Sequence, residues 1–227
     1  MLANGTFNAT DQRPAFPWTT AHTNSRNNKR LWTVDRPVPL NYEIPMAWHH
    51  LIPWNKLRNS WSALAASGQW EVLLAWLKLT DIGAADTRIG EMQTGTLGTV
   101  NASAIETSMC WAQWNLVEGP KEDNRTDDPG GDGFDNFGGI KFSSNVRSRS
   151  QILHQIYTKV STWQVNTNTV SGADAKLLLG LFAQLKSYKN SPISLFEPKA
   201  WVIVNAGRID GYGLTTSGGR HPTWKKA

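Results

Sequence analysis

The sequence predicts a mainly helical α+β domain that follows a long extended N-terminal arm. Three observations lead there: prolines crowd the first 45 residues, apolar residues recur at helical spacing through much of the rest, and one β-branched run stands near the end. Pro14, Pro17, Pro37, Pro39 and Pro45 each fix φ and remove a backbone donor. Residues 1–45 therefore suit an arm that wraps the body, anchored by Trp18 and Trp32, and residues 46–227 read as a single domain.

The elements follow in order. Pro53 suits the first turn of a helix, and Leu57, Trp61, Leu64 and Ala65 share one apolar face that Gly68 closes. A second helix over 69–79 places Trp70, Leu73, Leu74 and Leu77 inward. Residues 83–99 are rich in Gly and Thr and read as loop; 102–113 suit a third helix, and Asn115-Leu116-Val117 a short strand. The polar, Gly- and Asp-rich stretch 118–139 is long for a loop inside a compact domain, which marks it as functional or mobile. Helices follow over 146–163, with Ile152, Ile156, Val160 and Trp163 on one face, and over 172–188, with Leu178, Phe182 and Leu185. Ala200-Trp201-Val202-Ile203-Val204 is the clearest strand, and no internal repeat is present.

Composition sets the class. With 40% apolar and 18% charged residues, 227 residues can bury a core, which excludes a disordered chain. Of the twelve tryptophans some must be structural, since each buries a large area, but a polar handle suits tryptophan to grooves and interfaces as well. The net charge of +5 and pI near 9.4 are compatible with a polyanionic partner. Basic residues gather at Arg26, Lys29 and Arg30, at Arg147 and Arg149, and at Arg220, Lys225 and Lys226, and the ordinary meaning of such clusters is a solvated surface. A single cysteine, Cys110, excludes an internal disulfide framework. No apolar run reaches the ~18 residues of a membrane span, and no signal peptide is visible at the start.

The chemistry concentrates in His49-His50, within Ala47-Trp48-His49-His50-Leu51-Ile52-Pro53-Trp54. Only five histidines occur in the chain, and two adjacent ones can split labour, one binding a metal and the other abstracting a proton. Adjacent side chains of a strand point to opposite faces, so both reach one centre only where the strand ends, and Pro53 ends regular pairing here. The alternative is a half-buried structural pair with one ring bonded to backbone. A second segment runs from Trp114-Asn115-Leu116-Val117-Glu118-Gly119-Pro120 into Asn124-Arg125-Thr126-Asp127-Asp128-Pro129-Gly130 and Gly133-Phe134-Asp135.

Together the two segments resemble the His-Me finger nucleases of HNH type, in particular the toxin branch with an HHxIP signature. His49-His50-Leu51-Ile52-Pro53 carries the first part of that likeness and Asn115-Leu116-Val117 the second. The resemblance implies a small β-hairpin core of the ββα-metal kind. There the histidine pair closes one strand, the asparagine follows on its return, and a helix supplies further ligands. The helices over about 54–113 then read as an insertion between the two strands. In the roles implied, His50 is the general base, His49 binds the metal, Asn115 orients the base through its side-chain carbonyl, and Arg125 contacts the phosphate. Asp127, Asp128 and Asp135 complete the metal shell, which suits magnesium or manganese better than zinc. The roles of His49 and His50 are exchangeable from sequence alone.

The expected activity is metal-dependent hydrolysis of DNA or RNA by a toxin effector domain. It would be secreted or delivered into a target cell as part of a larger toxin, act in that cell's cytoplasm, and be restrained by an acidic immunity protein. Other readings stay open. Asp127-Asp128-Pro129-Gly130 is also ordinary turn chemistry, and Asp128, Asp132 and Asp135 look like a calcium loop without its closing glutamate. Ser108-Met109-Cys110-Trp111 has the cysteine and tryptophan of papain-like proteases, with His154 or His221 as partner, although a lone cysteine in a helix is commonly a small buried residue. Two competing functions stay alive: a hydrolase or transferase of another class that uses Cys110 or the His49-His50 pair, and a tryptophan-rich binding module without enzymatic activity.

Overall fold

The computed structural model describes residues 1–8, 11–15, 29–34, 40–120, 144–165, 169–189, 201–205, 209–210, 213–214 and 223–226, with backbone alone for 29–34, 40–49, 117–120, 144–147, 150 and 201 onward. Two strands, β1 (Lys29–Val34) and β2 (Leu40–His50), pair antiparallel from Lys29↔Pro45 to Val34↔Leu40. Four helices come next: α1 (Trp54–Ala66), α2 (Trp70–Leu77), α3 (Ala85–Gln93) and α4 (Thr99–Cys110). A 3-10 turn at Gln113–Asn115 leads into β3 (Leu116–Pro120), which returns antiparallel along β2 with His50 opposite Leu116 and His49 opposite Val117. Helices α5 (Ser144–Val160) and α6 (Gly172–Leu185) follow. The last strands, β4 (Trp201–Asn205), β5 (Ile209–Asp210), β6 (Gly213–Leu214) and β7 (Thr223–Lys226), form two separate pairs, β4 with β7 and β5 with β6.

The core is helical. Helix α1 packs on α2, α4 and α5, while α2 also meets α3 and α6, and α5 lies on α6. Leu57, Trp61, Leu64 and Ala65 of α1 are buried as their spacing predicts, and Gly68 takes φ +65° just past the helix end. Trp61 meets Trp76 edge to face (ring centroids 5.4 Å), and Trp76 meets Phe182 at 5.3 Å, so one run of rings joins α1, α2 and α6.

Two sequence expectations need correction. The first is the small β-hairpin core of the ββα-metal kind. Among the described side chains, the core is built by helices and the turns beside them, and no hairpin contributes to it. Strands β2 and β3 are separated by four helices and are not a hairpin; their only buried described side chains are His50 and Leu116, where the ladder enters the helical body. The strongly apolar α2 and the tryptophans of α1 supply the apolar mass of that core. The second correction is the loop read over 83–99, where α3 forms. Ala84 at φ 55° turns the chain into it, and Ile89 and Met92 face inward.

The first fifteen residues are tied to the helices. Phe7 is buried edge to face against Trp54, its N–H donates to Ser62 Oγ (2.8 Å), and the Trp61 indole donates to Gly5 O (2.9 Å). The Met1 amine pairs with Glu106 of α4 and Asp11, and Arg58 Nη1 donates to Asp11 O (2.7 Å). Of the proposed anchors, Trp32 lies in β1 opposite Tyr42, and Trp18 is outside the described residues.

Candidate functional site

The end of β2 and the head of β3 meet at His50, and their junction is locked by Asn115. The Leu51 N–H donates to Asn115 O (2.8 Å), continuing the ladder past His50↔Leu116. The Asn115 side chain then grips Ile52 twice: its Oδ1 accepts from Ile52 N–H (2.7 Å) and its Nδ2 donates to Ile52 O (2.9 Å). The amide thus imitates one more residue of a partner strand. Just beyond, the Pro53 carbonyl accepts from the Lys56 and Leu57 N–H groups, which opens α1. Asn115 is wholly buried, where unmade backbone bonds would be expensive.

This geometry changes the part expected of Asn115. Its carbonyl accepts from the backbone of Ile52, with no hydrogen bond to the His50 ring among the described interactions, so it fixes the turn after the histidines instead of their tautomer. The tautomer is set by Cys110. The Cys110 carbonyl can only accept, so His50 Nε2, 2.8 Å away, carries the proton of the neutral ring and the lone pair sits on Nδ1. Cys110 is the last residue of α4, whose final carbonyls lack intrahelical partners, and His50 satisfies one of them.

His50 is buried, with Trp111 tilted against its ring at 5.1 Å. Desolvation, reinforced by the positive charge of Arg13, pulls its pKa from 6.5 down to about 4 despite the opposing pull of the carbonyl bond. The imidazole is therefore neutral at physiological pH. Arg13 lies 5.4 Å over the Trp111 ring, and the Trp111 indole N–H is shared between Pro14 O (3.2 Å) and Ala15 O (3.1 Å).

The structure also brings Cys110 to His50, with Sγ 3.5 Å from Nε2. The pair is not poised as a nucleophile. Burial pushes the thiol up to about 12 while the imidazole falls to about 4, so a thiolate–imidazolium pair is strongly disfavoured. The cysteine also stands at the C-terminal, negative end of its helix, where a thiolate is repelled.

The remaining candidates are placed only in part. His49 is opposite Val117 in the ladder. Arg125, Asp127, Asp128, Asp132 and Asp135 lie outside the described residues, as does His221, while His154 is on the exposed face of α5. Among the described residues no three His, Cys, Asp or Glu side chains group as metal ligands. His50 with its neutral thiol neighbour does not by itself fit magnesium or manganese, which take oxygen donors. Arg149, expected on a solvated surface, is 2% exposed, and burial lowers its pKa to about 10 against the opposing effect of Tyr188. An open groove of about 640 Å³ runs between α4 and the turn after α2, lined in part by Trp111 and bordered by Asp81, Thr107, Ser108 and Lys189. Among the described residues no helix is long and apolar enough to cross a membrane. Sequence reasoning missed Arg13 and read Trp111 only as the neighbour of Cys110, because a contact such as that of Trp111 with Pro14, 97 residues apart, leaves no local pattern. Compared with known proteins, the chain matches no family model, no curated protein and no solved structure.

Proposed function

We propose that this chain is a metal-dependent nuclease that hydrolyses phosphodiester bonds of DNA or RNA, an effector domain of the His-Me finger toxin type. The observation that supports it most is the meeting of three residues from distant segments: His49 and His50 close β2, and Asn115 heads the strand paired with them. Nothing in the local sequence requires that meeting. In this reading His49 and carboxylates from Asp127, Asp128 and Asp135 hold a magnesium or manganese ion, whose contribution is Lewis-acid stabilisation of the phosphate charge. His50, with its proton fixed on Nε2, offers Nδ1 as the acceptor for the proton of the attacking water. Asn115 holds the turn that carries both histidines, and Arg125 meets the phosphate. The net charge of +5 favours a polyanionic substrate and an acidic immunity protein.

The test is incubation of purified protein with plasmid DNA and with RNA, in magnesium or manganese and in EDTA. Cleavage that EDTA stops and His49→Ala removes is the expected result, together with growth arrest on expression that His49→Ala relieves. Failure to cut either nucleic acid with either metal overturns the reading. His50→Gln separates base from structural prop, since the glutamine amide can still donate to Cys110 O but has no basic nitrogen. A folded His50→Gln protein with full activity would remove His50 from the mechanism.

A further inference from the structure

We propose that Trp111 is a gate over the buried His50–Cys110 pair and that residues 11–15 are its latch. The His50 ring is 5.1 Å from the Trp111 ring, and Cys110 Sγ is 3.5 Å from His50 Nε2. The latch holds the same indole. Pro14 and Ala15 carbonyls share its N–H, and the Arg13 guanidinium stacks on its ring. The latch is itself anchored through Asp11, whose carbonyl takes the Arg58 guanidinium and whose carboxylate takes the Asn8 N–H.

Two features make this a gate instead of a wall. Gln12, Arg13 and Ala15 are exposed, so the latch is a surface segment, and its grip on Trp111 is a shared N–H and a cation–π contact rather than packing in the core. Trp111, although only 8% exposed, also lines the open groove beside α4. The closed arrangement, which packs the indole on the His50 ring, is a resting state of the proposed nuclease; this last step rests on the functional reading above, while the gate does not.

The single cysteine makes the gate measurable in the full chain. Native-state labelling of Cys110 by methyl methanethiosulfonate is followed across low urea for the wild type, Arg13→Ala and Trp111→Phe. Arg13 is exposed, so its removal leaves the core intact. Local opening labels the thiol with a shallow urea dependence, whereas global unfolding labels it with the full slope of the urea melt. The expected result is a shallow slope, with labelling about threefold faster in Arg13→Ala from loss of the cation–π contact. For Trp111→Phe, which loses the shared indole bond, about tenfold is expected. A full global slope in the wild type and in Arg13→Ala, with unchanged rates, overturns the gate whatever the activity. If labelling is gated yet no nucleic acid is cut by any variant, the nuclease reading falls and the gate stands.

Discussion

Lowering the pH should destabilise this protein through His50, by an amount the pocket sets. The ring's pKa is about 4 in the folded chain against 6.5 when free, held down first by burial and then by Arg13. The folded value is the lower one, so the unfolded state takes up a proton that the native state refuses. Stability is complete above pH 6.5 and falls as pH drops toward 4, by about 1.4 kcal/mol per unit. The total at stake is about 3 kcal/mol, a large share of a domain's usual margin. Arg13, the Cys110 carbonyl and thiol, and Trp111 face the ring, and none of them ionises within that window. The assay is urea unfolding of wild type and His50→Gln at pH 7.5, 6.5, 5.5 and 4.5. The glutamine keeps the bond to Cys110 O and has no ionisation, so carboxylates such as Asp11 cancel in the difference. Between pH 7.5 and 4.5 the wild type should lose about 2–3 kcal/mol more than the variant. Parallel curves for the two proteins would refute the reasoning, because His50 would then titrate in the native state as it does in water.

Other perturbations probe the same framework. Asn115→Ala strands the N–H and the carbonyl of Ile52 in a buried site, and a loss of about 2–4 kcal/mol by urea unfolding is expected. Phe7→Ala should cost about 3 kcal/mol in the same measurement, as for a core aromatic, although the residue lies in the N-terminal arm. Gly5→Ala should lower the thermal midpoint, at about 2 kcal/mol. Gly5 sits at φ +82°, and a Cβ there would come within 2.6 Å of the buried Met92 sulfur.

Much of the helical framework was legible because apolar spacing reports burial directly. Leu57, Trp61 and Leu64, and later Ile152, Ile156, Val160, Leu178, Phe182 and Leu185, are buried where the 3.6-residue period puts them. Helix α3 was hidden because Ala85–Gln93 has few apolar residues between glycines, and its formation depends on packing against α2. The inner face of α2 was half legible: Leu73 and Leu77 are buried as read, whereas Val72 and Trp76 also turn inward because that helix is covered on more than one side. The hairpin core was expected from a motif, and a motif does not report how much apolar surface surrounds it. The histidine pair and Asn115 were found by residue type, yet the bonds they make belong to Cys110 and Ile52 backbone atoms, which no side-chain pattern encodes.

The attachment of the first fifteen residues also orders the folding of the chain in time. Gly5 and Phe7 reach partners 56 and 55 positions later, Trp111 binds Pro14 across 97, and the Met1 amine meets Glu106 across 105. Each of these contacts closes a long loop, and that entropy must be spent before the bond returns anything. Residues 5–7 can therefore dock only after α1 has formed, and residues 13–15 only after Trp111 has been synthesised. Contacts formed that late are weakly represented in the rate-limiting step, so substitutions at Phe7 or Arg13 should quicken unfolding and leave the refolding rate nearly unchanged. This segment becomes the closing clasp of the fold, and it governs the lifetime of the native protein more than the speed of folding.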